Sequence, residues 1–323
     1  MSRLAFAVLC MLAATTATAF GQAYPSRPIT IVVPFSAGGP TDTIARIFAE
    51  RMRVTLGQPV IVENTTGAGG SIGVTRVVRA TGDGYTFGIG HVGTHVINGA
   101  IYNLPFDLVK DLEPIAVIAS NPQILVGRKT LPAQNLAELL VWMKANSGKI
   151  TFGTSGAGTP SHVSSLALQS RLGVQGQIIP YRGSGPALQD VMAGQIDVLF
   201  EQAANAVPQV MGGTVRAFAV TSNERLPATP QVPTTDEAGL PGFYMSIWHA
   251  FWAPKGTPKE AIAKLAAAVQ AALKEPETKR RLGELGQAIP DASLQTAEGL
   301  GAYHKAEIDK WWPLVKAADI KMD

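Results

Sequence analysis

Ile29-Thr30-Ile31-Val32-Val33-Pro34-Phe35-Ser36-Ala37-Gly38-Gly39-Pro40-Thr41-Asp42, continued by Thr43 to Leu56, decides the architecture. Ile29 to Pro34 is a short apolar run of the kind that forms a strand buried on both faces. Glycines and prolines then break the run. From Thr43 onward, Ile44, Ile47, Phe48, Met52 and Leu56 recur at helical spacing. Strand, glycine turn and helix together are the opening of a βαβ unit.

The same alternation extends outward. Val60 to Glu63 reads as the next strand, Ser71 to Ala80 as a second helix and Tyr85 to Ile89 as a third strand. That order predicts a parallel sheet covered on both faces. The pattern restarts with strands at Gln123 to Val126, Ile150 to Gly153, Gln177 to Pro180 and Asp197 to Phe200. Helices at Asn135 to Asn146, Ser161 to Leu172 and Leu188 to Ala193 lie between them. Pro227 to Gly242 reads as an extended surface segment. After Pro254, amphipathic helices at about Lys259 to Lys274, Pro276 to Leu285 and Ala297 to Lys316 close the chain. Two β-α series without an internal repeat, in 323 residues, predict two doubly wound α/β domains.

Composition narrows the function. Charged residues are 16% of the chain and apolar ones 46%, which fits a globular fold and excludes extensive disorder. The net charge is +3, with basic residues scattered rather than clustered, which argues against nucleic acid or an anionic membrane as partner. Arg3 followed by the apolar run Leu4 to Ala14 and small residues up to Ala23 has the form of a secretory signal, residues 1–23. Cleavage is expected after Ala23, with Ala19 as the alternative. The single cysteine, Cys10, lies in that signal behind Leu9, which is too large for a lipoprotein site. The mature protein is therefore expected to lack disulfides, a thiol nucleophile and cysteine-ligated zinc, and to be soluble in the periplasm.

The chemistry-bearing features are glycine turns. In Ser36-Ala37-Gly38-Gly39 a strand end meets a helix N-terminus, where free amides and the helix dipole can hold a carboxylate without a cation. The turn is equally explained by Thr41 or Asp42 as helix N-cap, Asp42 being the choice because its charge would repel an anion if it faced the site, and capping and anion binding can hold together. Gly67-Ala68-Gly69-Gly70 and Gly153-Thr154-Ser155-Gly156-Ala157-Gly158-Thr159-Pro160-Ser161-His162 are two further turns of this kind. Such turns lie at strand C-termini, where open α/β sheets bind ligands. Enzyme signatures are weak. Gly88-Ile89-Gly90-His91-Val92-Gly93 has the dinucleotide spacing but sits at the third strand without the following acidic residue. His91 and His95 at i, i+4 lack a third metal ligand nearby. Ser155, His162 and Glu201 would make a triad only if the fold assembled them. Trp311 and Trp312, with His304 near by, read as packing residues on the last helix.

These residues resemble the Bug-type extracytoplasmic binding proteins, the solute receptors of tripartite tricarboxylate transporters. The likeness is carried by Tyr24-Pro25-Ser26-Arg27-Pro28, Val33-Pro34-Phe35, Val62-Glu63-Asn64, Asp83-Gly84-Tyr85 and Gly93-Thr94-His95. Pro180-Tyr181-Arg182-Gly183-Ser184-Gly185-Pro186-Ala187 and Ala253-Pro254 with Gly256-Thr257-Pro258 complete it. The resemblance implies a Venus-flytrap receptor of the periplasmic-binding-protein type. Two α/β domains would be joined by two crossing strands, near Pro122 to Gly127 and Ser246 to Ala253, with a ligand cleft between them. It implies domains at 24–123 plus 250–323 and at 124–249. The ligand-binding set it suggests is Ser36, Ala37, Gly38, Gly39, Thr41, Gly70, His91 and Thr94 from the first half. Ser155, Thr159, Ser161, His162, Gly183, Ser184 and Glu201 come from the second. The expected function is capture of a small aliphatic or aromatic carboxylate for a membrane permease, by a monomer with no cofactor, no metal and no catalysis. A signalling receptor, or an exported hydrolase or isomerase, are the alternatives. Arg182 stands where the family often has lysine, Glu201 where it has aspartate, and His249 is unusual in the returning strand.

Overall fold

The computed structural model describes residues 24–156, 158–181 and 183–317. The expected signal, residues 1–23, and Arg182 lie outside the described residues.

Strand β1 (Ile29–Val33) leads through the first glycine turn into helix α1 (Pro40–Leu56). The helix begins three residues before Thr43 because Gly39 is extended, at φ −76° and ψ 167°, and Pro40 takes the first helical position. A missing N–H costs nothing there. Gly57 ends the helix in the left-handed conformation and returns its amide to Arg53 O. Strand β2 (Val60–Asn64), helix α2 (Ser71–Val78) and strand β3 (Thr86–His91) follow, and both outer strands pair with β1 in parallel. Ile44, Ile47, Phe48 and Met52 of α1 are buried with Ile29, Ile31, Val33, Phe87 and Phe251. Each side chain of this size stabilises by roughly 1.5–3 kcal/mol when fully buried.

Strand β4 (Leu112–Gly127) is 16 residues long and belongs to both halves of the molecule. From Leu112 to Pro122 it runs antiparallel to the last strand, β9 (Ser246–Pro254), which also pairs antiparallel with β3. From Gln123 it continues between two other strands, β7 (Val198–Gln202) and β8 (Arg216–Val220), again antiparallel. Helix α4 (Leu136–Ala145) follows β4, after the short turn α3 (Asn98–Ile101) that precedes it. Strand β5 (Ile150–Thr154), helix α5 (Pro160–Leu172), strand β6 (Gly176–Pro180) and helix α6 (Ser184–Met192) then lead into β7. β5 pairs in parallel with β6 and β7, so the order across the sheet is β2-β1-β3-β9-β4-β7-β5-β6, with β8 on β4.

Parallel pairing therefore holds on the two flanks and not in the centre. The strands that pass between the halves run against their neighbours, and their pairing partners are far apart in sequence. Helix α7 (Ala203–Met211) and strand β8 are additions to the pattern expected from sequence. Helices α8 (Lys259–Lys274), α9 (Pro276–Glu284) and α10 (Ala297–Ala317) return to the first half. On α10, Glu307 Oε2 accepts both the Trp248 indole at 3.0 Å and the Trp311 indole at 3.1 Å. Trp312 donates to Val96 O at 2.8 Å, so both α10 tryptophans are packing residues. The described residues form a mixed α/β fold in which one 9-stranded sheet runs through both halves.

Candidate functional site

The first glycine turn is built around Asp42. This residue lies in the first turn of α1 rather than at its cap, which is Gly39. Its Oδ2 accepts the Gly38 amide at 2.8 Å and Arg46 Nε at 2.9 Å, and its Oδ1 accepts Asn64 Nδ2 at 2.9 Å. Burial alone would raise the carboxyl's pKa. Hydrogen bonds from Arg46, the Gly38 amide and Asn64, with the Arg46 charge, outweigh burial and hold it below the usual carboxylate value. Gly39 N–H turns back to Ser36 O at 3.3 Å. The turn's own hydrogen bonds thus engage the Gly38 and Gly39 amides and leave those of exposed Ser36 and Ala37 outside them. Thr41 is buried, with its hydroxyl 3.2 Å from His249 Nε2.

The second turn packs against the first. Gly70, at φ 94°, has no room for a side chain, because a Cβ would lie 2.6 Å from Thr94 Cγ2 and 3.3 Å from the Phe35 ring. Phe35 stacks on His91, with ring centroids 4.9 Å apart. His91 Nδ1 accepts the Gly93 amide at 2.9 Å. Burial lowers the His91 pKa to about 4, so at neutral pH the ring is uncharged and carries its proton on Nε2. That leaves an N–H donor suited to an anion. Thr94 is buried beneath it, donating to His91 O at 3.1 Å.

In the second half, the N-termini of α5 and α6 meet beside the end of β5. Ser155 Oγ lies 2.9 Å from Ser184 Oγ and 3.2 Å from Ser161 Oγ, and Thr159 Oγ1 lies 3.1 Å from Ser161 Oγ. Gly183, at φ 111°, precedes α6 and donates to Ser155 O at 3.1 Å. The result is a patch of four linked hydroxyls at two helix N-termini. His162 Nδ1 accepts the Gly158 amide at 2.9 Å, and Ser155 bonds to serines. The Ser155–His162–Glu201 arrangement of a hydrolase is therefore not assembled. Among the described residues there is no group of three or more His, Cys, Asp or Glu that could hold a metal ion.

A cavity of about 240 Å³ opens between the two halves. Of the residues singled out from sequence, His91, Ser155, Thr159, Ser161, Gly183, Ser184 and Glu201 line it. Ser36, Ala37, Gly38, Gly39, Thr41, Gly70, Thr94 and His162 are not on its wall. Gly69 and Gly93 occupy the wall where Gly70 and Thr94 were expected, because the latter two are buried as packing residues. Phe35, Asn98, Tyr102, Gln123 and Gln202 also line the cavity; Phe35 belongs to the Val33-Pro34-Phe35 motif, and the other four carry no motif that would single them out. Gln123 is the first β4 residue beyond the β9 pairing, and its position at the crossing was the signal available for it. Among the described lining residues there is no lysine or arginine.

The profile of the tripartite tricarboxylate transporter family receptor matches residues 44–320. The solved periplasmic binding protein BugD is 40% identical, with a TM-score of 0.78, covering 93% of this chain and 100% of its own. MatC from Rhodopseudomonas palustris, solved with malate, is 40% identical with a TM-score of 0.78, over 90% of this chain and 100% of that one. A further R. palustris protein, solved with adipate, is 32% identical with a TM-score of 0.80, over 92% and 99%. The BugT protein of Bordetella pertussis is 33% identical across 93% of this chain and 91% of its own. With the motifs, the two-lobed fold and the cleft all in agreement, the chain belongs to the Bug-type receptor family of the tripartite tricarboxylate transporters.

Proposed function

We propose that this protein captures a small carboxylate in the cleft and presents it, lobes closed, to the membrane permease of a tripartite tricarboxylate-type transporter, without turning it over. The observation that carries this reading is a polar cleft that offers donors and no described cation. The His91 Nε2–H, the Ser155–Ser184 hydroxyl pair and the N-termini of α5 and α6 converge on one cavity, while the Thr159 hydroxyl donates to Gly156 O at 2.7 Å and the Ser161 hydroxyl to Ser155 Oγ at 3.2 Å. Neutral donors and helix dipoles are sufficient to hold a carboxylate. The two relatives solved with malate and with adipate support the same ligand class. Lobes at 24–123 plus 250–323 and at 124–249, hinged where β4 leaves β9 at Pro122, would bring the Ser36–Gly39 turn and Thr41 toward the ligand on closure. Only a ligand that touches both lobes favours the closed form. The signal at 1–23 would place the mature, monomeric receptor in the periplasm.

Calorimetric titration with aliphatic and aromatic mono-, di- and tricarboxylates tests the assignment. Hydrogen bonds to a charged group are worth about 1.5–3 kcal/mol each, so three or four of them, less the ordering cost, give micromolar affinity or better. Binding of one acid, recovered unchanged after long incubation, is the expected result. No binding by any acid in the panel, or its conversion to a product, would overturn the reading.

A further inference from the structure

Glu201 lies at the end of β7, lines the cavity and is 1% exposed. Its Oε1 is fully engaged, accepting the Gln202 amide at 2.8 Å and Asn205 Nδ2 at 3.2 Å. Its Oε2 is buried and has no hydrogen-bond partner. Beside it the buried Gln202 Oε1 is also without a partner. The two acceptors differ in kind. A glutamine amide can turn its nitrogen inward, whereas an ionised carboxylate has no donor to offer. The Ser184 hydroxyl is close enough to the Glu201 carboxyl to lower its pKa, but it makes no hydrogen bond to Oε2 and pairs with Ser155 Oγ at 2.9 Å. A buried acceptor left unpaired is costly, and Glu201 lines the cavity, from which a partner can arrive.

We propose that Glu201 sets the ligand's chemistry: the cleft takes a small carboxylate that also carries a hydrogen-bond donor, a hydroxyl or an ammonium group, and Glu201 Oε2 receives that donor. This rests on the carboxylate-receptor function proposed above. The polarity of the cleft divides accordingly. Neutral donors at His91 and at the α5 N-terminus suit the ligand's carboxylate, and the Glu201–Gln202 acceptors, with Glu201 beside Ser184 at the start of α6, suit its donor group. Burial raises the Glu201 pKa, and a hydroxyl or ammonium donor offsets that cost. An unsubstituted acid would set a methylene or a second carboxylate against Oε2 and leave it unpaired.

The test uses matched acids that differ at one carbon only: propionate, lactate and alanine; succinate, malate and aspartate; phenylacetate, mandelate and phenylglycine. Each is titrated calorimetrically at pH 8 into the wild-type protein and into Glu201→Gln. In whichever trio fits, the hydroxy or amino member should bind at least about tenfold tighter than the unsubstituted acid, as a charged hydrogen bond requires. Which of the two wins identifies the donor. In Glu201→Gln the preference should shrink to within about threefold. Equal or tighter binding of the unsubstituted acid overturns the inference and leaves the receptor function standing, as does an undiminished preference in Glu201→Gln. No binding by any of the acids overturns the carboxylate reading and this inference with it. The wild-type ratios decide the matter alone should the variant not fold.

Discussion

Asp42 holds Gly38 across four residues: its Oδ2 accepts the Gly38 amide at 2.8 Å while Asn64 Nδ2 donates to Oδ1 at 2.9 Å. Asn64 Nδ2 also donates to Phe35 O at 2.9 Å, so one buried carboxylate ties β2, α1 and the glycine turn together. The turn is therefore formed before any ligand arrives, and its helix dipole is already aimed.

Replacing Asp42 with alanine removes the acceptor for all three donors. Urea unfolding should show a loss of about 1–3 kcal/mol, the cost of stranding a buried hydrogen-bonding group. The pH dependence gives a second readout. Because the folded pKa is held below the unfolded value, this carboxylate stabilises above pH ~4 and loses that contribution as pH falls below it. The variant should lack this acid-limb component.

Gly38 and Gly39 are adjacent and should respond differently. Gly38 sits at φ 80°, where an L side chain is strained whatever the free space, so Gly38→Ala should cost about 1–2 kcal/mol. Gly39 has an ordinary φ of −76°, and its Cβ would meet only Ser36 O at 3.4 Å. Gly39→Trp should melt within a few degrees of wild type yet lose ligand binding, because in the proposed closed form the bulk would stand between this turn and the ligand. Full-strength binding by Gly39→Trp in a calorimeter would remove this turn from the site.

Ser155 bridges Ser184 and Ser161, which begin two different helices. Ser155→Ala should weaken ligand binding by about tenfold, the loss of one hydrogen bond to a charged group. A partly exposed hydroxyl contributes little to folding, so the unliganded melting temperature should hardly move.

Much of this was legible in sequence where a local signal existed. Apolar spacing placed α1 and the flanking strands, and the glycine turns marked the strand ends that surround the cleft. The second half of β4 was legible as a strand at Gln123 to Val126, but its first half was hidden because Pro114 interrupts it, and a proline argues against a central strand. The structure accommodates Pro114 at a register shift between Pro114 and Ala116, where no ladder donor is needed. The antiparallel centre was equally invisible, since β4 and β9 meet across more than a hundred residues and no short-range pattern encodes that pairing. In the site, Ser155, Ser161 and Ser184 announced themselves in turns. Gly70 and Thr94 carried the same look but lie buried off the cavity wall, with Thr94 Cγ2 and the Phe35 ring crowding Gly70, which only the fold reveals.

The buried histidines give the protein a stability limit on the acid side. His95 stacks on Trp252 with centroids 3.7 Å apart, and His249 is 1% exposed with Nδ1 unpartnered. Burial penalises the imidazolium of each, and repulsion from His304 and His91 for His95, and from His91 for His249, adds to it, so both folded pKa values lie well below 6.5. In the unfolded chain these groups titrate near 6.5. Below that pH the unfolded state binds more protons than the folded one, so their contribution is complete above about pH 6.5 and declines as pH falls. Glu201 acts in the opposite sense, because its folded pKa is raised by burial, and it offsets part of the decline below that value. Melting temperature should therefore drop between pH 7.5 and 5. His249→Gln keeps a partner for Thr41 and removes one titrating group, so its profile over that range should be shallower even if it melts lower at pH 7.5. An equally steep profile in the variant would mean that His249 is not among the groups that set this limit.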